Sequence, residues 1–169
     1  MLPLELQQLS SHKEVTLQVD ARLSELGICL PEAVSPAFQY LAVVVHGGLA
    51  WVSGQIPRAG GQVIMTGKLG GEIDVERGRE AARACVLQAL AQLKEALGSL
   101  DRVERVVKLT GFVASATGFT QQPQIIDAAS ELLGQVFGDK GRHARSAVGV
   151  AELPRGVPVE IELVVAVGR

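Results

Sequence analysis

Two helix-period apolar patterns with a strand-period pattern between them, over residues 74–137, constrain this chain's fold more than any other feature. Asp74 is placed to cap the first helix. Val75, Ala82, Val86, Leu90, Leu93 and Leu97 then trace one face before Gly98 stops it. The second helix runs from about Gln122 to Phe137, with Pro123 in its first turn and Gly138 at its end. Its stripe is Ile125, Ile126, Ala129, Leu132, Leu133 and Val136. Between the helices, Val103–Ala114 reads as a strand with Val103, Val107, Leu109 and Val113 on one side. Each helix is apolar on one face only, so both must bury that face against a common sheet.

The flanking segments supply that sheet. Leu41–Val45 and Leu49–Gly54 bracket His46-Gly47-Gly48, and a Gly-Gly turn between two β-rich runs predicts a hairpin. His143–Val150 and Val157–Val167, joined through Leu153-Pro154-Arg155-Gly156, predict a second hairpin. The order β-β-α-β-α-β-β describes an α/β (α+β) domain: a two-layer plan, a mixed β-sheet with two long helices on one face. Residues Pro57–Gly71 are glycine-rich but lack the GxxxxGK[ST] spacing of a phosphate cradle, so a mobile loop is expected. Upstream, Val19–Leu26 predicts a short helix stopped by Gly27, and residues 1–12 read as a frayed or docking extension. The chain divides into an N-terminal extension with a short helix (1–36) and a main domain (37–169).

Composition narrows the functional classes. Hydrophobic residues make up 47% of the 169, enough for a real core, while only 4% are aromatic, so that core is aliphatic and alanine-rich. Sixteen basic and 18 acidic side chains leave a formal charge of −2 with no basic stripe, which argues against a nucleic-acid partner. Cys29 and Cys85 show neither CxxC spacing nor a histidine cluster, which argues against a disulfide framework or a metal site; Cys85 reads as a small buried hydrophobe. No run reaches the ~18–20 apolar residues of a membrane span, and no signal-peptide pattern opens the chain. A cytoplasmic protein with no membrane partner is expected.

Strand alternation then isolates two charges. Val159, Ile161, Leu163 and Val165 share one face, a floor for the helices, and Glu160, Glu162, Val164 and Ala166 take the other. In the preceding strand Ser146, Val148 and Val150 oppose Arg145, Ala147, Gly149 and Ala151. The face away from the helices is expected to carry Arg145 and Glu160 among small apolar residues and to pack against other subunits, in a dimer or a ring. Two readings of the pair stay open at this point. One is a cross-strand or inter-subunit salt bridge. The other is a site where the planar guanidinium takes a carboxylate and Glu160 holds a water.

The segment GRHARSAVGVAELPRGVPVEIEL, residues 141–163, resembles the signature of the RidA/YjgF family of enamine/imine deaminases, also called L-PSP endoribonucleases. VSGQIP (52–57), VVKLTGFV (106–113) and the terminal VEIELVV match in order, so the similarity covers about Tyr40 to Val167. The longer N-terminus looks like a longer-chain subgroup. This resemblance implies a chorismate-mutase-like domain assembled as a homotrimer, with a trimeric β-barrel core and sites in the clefts between subunits. It also implies hydrolysis of 2-imino acids, or enamine tautomers such as 2-aminoacrylate, to 2-keto acids and ammonia without a metal or organic cofactor.

Carried over by position, the resemblance makes Arg145 the carboxylate-binding arginine and Glu160 the water-positioning acid. Tyr40 and Ser53 become pocket residues, and Ala147 stands where many members have cysteine. The bland readings are a core-edge aromatic for Tyr40, a backbone-satisfying hydroxyl for Ser53, a solvent-side His143 and a packing or pocket-wall role for Trp51. Gln88 and Pro123 also depart from the family pattern, which bears on substrate size. The rival functions are a non-catalytic metabolite-binding or regulatory protein, a ribonuclease, or a deaminase of a larger catabolic imine shaped by residues 58–71 and the N-terminal extension.

Overall fold

The computed structural model describes residues 18–168; the reading of residues 1–12 lies outside them. The elements are helix α1 (Val19–Glu25), strands β1 (Val43–His46) and β2 (Leu49–Gln55), a small hairpin of β3 (Arg58–Ala59) and β4 (Gln62–Val63), helix α2 (Val75–Leu97), strand β5 (Val103–Ala114), helix α3 (Gln122–Phe137), and strands β6 (Ala144–Val150) and β7 (Val159–Val167). The Asp74 side chain accepts from the Arg77 amide at 2.8 Å, opening α2, and Gly98 closes it in the left-handed region at φ 79°. Gly47 and Gly48, at φ 60° and 76°, form the tight turn of the first hairpin.

The five-stranded sheet has the order β1-β2-β7-β5-β6. All pairs are antiparallel except β5–β6, which is parallel. The expected C-terminal hairpin therefore does not exist: β5 lies between β6 and β7. The physical reason is the β5-α3-β6 unit, in which the helix returns the chain to the start of the sheet so that β6 runs beside β5 in the same direction. The chain then turns through a short 3₁₀ segment, Pro154–Gly156, and passes β5 to pair on its far side.

Both long helices cover one sheet face. Leu90 and Leu93 of α2 and Ile125, Ile126, Leu132 and Leu133 of α3 pack on Leu109, Ile161 and Leu163, all fully buried. Each such side chain contributes roughly 1.5–3 kcal/mol of transfer free energy. α1 adds Val19 and Leu23 to the same cluster. Irregular pairing of β5 near its start, between Val103 and Arg105 and between Val106 and Lys108, changes which residue points inward. Val106 is buried, and Val107, expected inside, is 39% exposed.

The glycine-rich stretch is also tied down rather than loose. Gly60 and Gly61 turn the β3–β4 hairpin. Leu69 is fully buried, donating its amide to the Ala114 carbonyl and accepting from Ala116. Cys85 is sealed in the core, its thiol pushed up by burial and then by the charge of Glu160. No helix among the described residues is long and apolar enough to cross a membrane.

Candidate functional site

Strand β2 stays paired to β7 only as far as Gln55 opposite Ile161, after an irregularity between Val52 and Gln55. The chain peels away there, leaving Glu160 uncovered by β2. A cleft of about 310 Å³ opens at this end, walled by Phe38 and Tyr40 before β1, Arg58 of β3, Gln88 of α2, Arg155 and Glu160. Gly54 makes the approach possible: a Cβ on it would overlap the Glu160 carboxylate. Burial raises the Glu160 pKa, and the charge of Glu162 raises it further.

Two glutamines one turn apart on α2 hold the walls. Gln88 donates through Nε2 to the Arg58 carbonyl at 3.2 Å, and Gln92 donates through Nε2 to the Val34 carbonyl at 2.7 Å. The Gln88 Oε1 is buried with no hydrogen-bond partner among the described residues. Arg155, between Pro154 and Gly156, holds a left-handed φ of 59°, a strained conformation for a side-chain-bearing residue.

Arg145 lies elsewhere, on the helix-covered face. Its Nη1 donates to Asp127 Oδ1 and to Ser130 Oγ of α3, each at 3.1 Å, and the side chain stays 27% exposed. This corrects the expected grouping of Arg145 with Glu160 on the face away from the helices. Arg145, Ala147 and Gly149 point toward α3, whereas Val148, assigned to the core by alternation, is 43% exposed on the open face. The small residues are there because α3 comes close. A Cβ on Gly111, opposite Ala147, would overlap Ile126, and one on Gly149 would meet Gln122 Nε2 at 2.8 Å. Small size thus reports a helix against the sheet rather than a second subunit.

Within one chain the two charges do not meet. Arg145 is level with Leu163 across Leu109, and Glu160 is three residues further along β7. Strand rise and spacing put their backbones about 14 Å apart, with the side chains on opposite faces.

The remaining candidates separate in the same way. Tyr40 lines the Glu160 cleft. Ser53 does not: its hydroxyl donates to the Leu41 carbonyl at 2.7 Å, and it lies with Trp51 in a shallow depression on the open face. Ala147 packs at the edge of the core, and Pro123 sits in the first turn of α3. His143, expected on the solvent side, is half-buried and bonded to Ser130 and Gly141. Asp127 and Ser130 escaped the sequence reading, and Gly54 and Arg58 entered it only as members of VSGQIP and of the loop 58–71. Only the i,i+3 spacing of Asp127 and Ser130 on α3 hinted at a shared target.

This β-β-α-β-α-β-β sheet with two helices on one face has close counterparts. Residues 20–158 match the family described as "YjgF/chorismate mutase-like, putative endoribonuclease". The chain belongs to the YjgF family. The protein TCP17 of Trypanosoma cruzi is 50% identical over 149 residues, 88% of this chain and 93% of TCP17. Among solved structures, the protein Atu1372 with unknown function from Agrobacterium tumefaciens is 42% identical with a TM-score of 0.83, over 90% of this chain and 94% of its own. Escherichia coli TdcF, solved with bound serine, is 26% identical with a TM-score of 0.54, over 82% of this chain and 93% of its own. The fold of this chain is thus the chorismate-mutase-like one that the family resemblance implied, on the two-layer plan expected from the strand and helix order.

Proposed function

We propose that this YjgF-family protein hydrolyses 2-imino acids and their enamine tautomers, such as 2-aminoacrylate, to 2-keto acids and ammonia, in a site shared between copies of a homotrimer. The observation that carries the reading is Glu160: a carboxyl with a raised pKa at the lip of an aromatic-walled cleft, with no ion-pair partner among the described residues. A general acid–base group is tuned by such surroundings toward neutral operation. Two further facts support it. Among the described residues Arg145 makes hydrogen bonds through Nη1 only, leaving the rest of its fork for a carboxylate. The related TdcF was solved with serine, itself a small amino acid.

In this mechanism Arg145 of one copy grips the substrate carboxylate while Glu160 of another orients a water. The water adds to the imine carbon, a proton passes through Glu160 to the nitrogen, and collapse of the carbinolamine releases ammonia and the keto acid. Positioning with one acid–base group contributes roughly 10²–10⁴-fold, and such imines already hydrolyse in water. Tyr40 walls the substrate side chain. Ser53 and Ala147 are assigned to the neighbourhood of the same site in the assembled trimer, and no cofactor takes part. A cytoplasmic setting and the division at residue 36 belong to the same proposal.

The test is ammonia release from enzymatically generated 2-iminopropanoate. Wild-type protein at micromolar concentration is expected to accelerate it, and Arg145→Ala to abolish the acceleration. No acceleration by the wild type sinks the deaminase reading. Pyruvate-dependent thermal stabilisation without turnover would mark a metabolite-binding protein instead.

A further inference from the structure

The hydrogen-bond chain behind Arg145 runs in one direction for the Nδ1–H tautomer of His143. His143 Nδ1 lies 2.6 Å from the Gly141 carbonyl, which only accepts, so Nδ1 carries a proton, and in the neutral tautomer that fits this contact Nε2 is an acceptor. Ser130 Oγ is 3.1 Å from that Nε2 and 3.1 Å from Arg145 Nη1. Arginine only donates, so Ser130 accepts from Arg145 and gives its own proton to His143. The chain runs from the guanidinium through a hydroxyl and an imidazole to a backbone carbonyl, with one acceptor for each donor. Asp127 takes the second Nη1 hydrogen at 3.1 Å.

Both Nη1 hydrogens are therefore committed, and only the edge formed by Nε and Nη2 remains for a ligand. A carboxylate can meet that edge with two parallel hydrogen bonds in a single orientation. A free arginine would offer two such edges and many rotamers, and selecting one of them costs entropy at each binding event.

We infer that Ser130 and His143 are positioning residues that lock Arg145 so that its Nε/Nη2 edge alone faces the substrate carboxylate. This rests on the reading of Arg145 as the carboxylate clamp. It adds that affinity for 2-keto and 2-imino acids depends on a hydroxyl that never touches them. Asp127 supplies the opposing charge, while Ser130 and His143 supply the angle. The clamp grips the carboxylate equally in the ground state and the transition state, so the effect of the lock falls on KM and not on kcat.

The experiment measures pyruvate binding to the full chain by calorimetry or NMR titration, alongside turnover of 2-iminopropanoate. Ser130→Ala is expected to weaken pyruvate about tenfold, the size of one lost charge-assisted hydrogen bond. It should raise KM by a similar factor with kcat within about twofold. Ser130→Thr restores the hydroxyl and is expected to bind as wild type. His143→Ala, which removes the acceptor for the Ser130 proton, gives a smaller loss. In an Arg145→Ala background, Ser130→Ala should have no further effect, since the hydroxyl acts only through the guanidinium. Arg145→Ala losing pyruvate while Ser130→Ala keeps it overturns this inference and leaves the clamp standing. Equal weakening in Ser130→Ala and Ser130→Thr overturns it as well. Wild-type affinity in Arg145→Ala, or no pyruvate binding by the wild type, removes the clamp and the inference with it.

Discussion

Glu160 is the residue whose surroundings make the most specific demand. It follows Val159 and precedes Ile161, both fully buried, and its carboxylate lies over Gly54, where no Cβ intervenes. Burial and then Glu162 favour its protonated form. The proton is held more tightly in the fold than in the unfolded chain. Stability contributed by this group is therefore present at low pH and lost as pH rises through the raised pKa. Glu160→Gln should raise Tm at neutral pH, and the gain should shrink as pH falls into the ordinary carboxylate range near pH 4. The same substitution should lower turnover by roughly 10²–10⁴-fold. Wild-type kcat should fall with acid at a higher pH than a free carboxylate would dictate, because the ionised form orients the water. Thermal scans and rate profiles across pH check both halves. A variant that loses activity and loses Tm at pH 7 would mean that Glu160 is a structural anchor instead.

At the scale of elements, the close approach of α3 to β5 and β6 decides both the packing and the placement of Arg145. Gly111 has an ordinary backbone conformation, so Gly111→Ala costs nothing in φ, yet the added methyl would overlap Ile126. Displacing α3 in this way should destabilise by about 1–3 kcal/mol. Gly134, on the same helix, has open space where a Cβ would stand. Gly134→Ala should therefore stabilise by up to ~1 kcal/mol through helix propensity alone. Denaturant titration of the two variants should give midpoints shifted in opposite directions.

This contact also explains what could be read from the sequence and what could not. The bounds of α2, β5 and α3 were legible because caps, glycines and apolar period act locally, as at Asp74 and Gly98. The neighbours of β6 were not, because strand pairing is non-local and a parallel crossover leaves no turn signature. With the partner strand misassigned, Val148 looked like core and Arg145 like open face. Asp127 and Ser130 looked like an ordinary polar face of a helix until the fold brought β6 beneath them. Family resemblance located Arg145 and Glu160, but not the faces they occupy.

For the whole molecule, the separation of Arg145 from Glu160 becomes an argument about assembly. One chain holds a cleft with an acid at one end of its sheet and an arginine on its edge strand, about 14 Å away and on the opposite face. No side-chain rearrangement within the chain joins them, so a site using both must be built by two copies. Exposed Val44, Trp51 and Val148 on the open sheet face, and the unpaired edges of β1 and β6, give copies something to bury. A closed ring satisfies every copy with the same contact, and in the proposed homotrimer three copies would make three sites. Complementation tests this directly. Arg145→Ala and Glu160→Gln chains are each expected to be inactive alone. When they are unfolded together and refolded as a 1:1 mixture, about a quarter of the interfaces pair an intact Arg145 with an intact Glu160. The mixture should recover about that fraction of wild-type turnover, and light scattering should report three times the chain mass. If both residues served a site within one chain, every site in the mixture would carry a defect and activity would stay at the level of the separate variants.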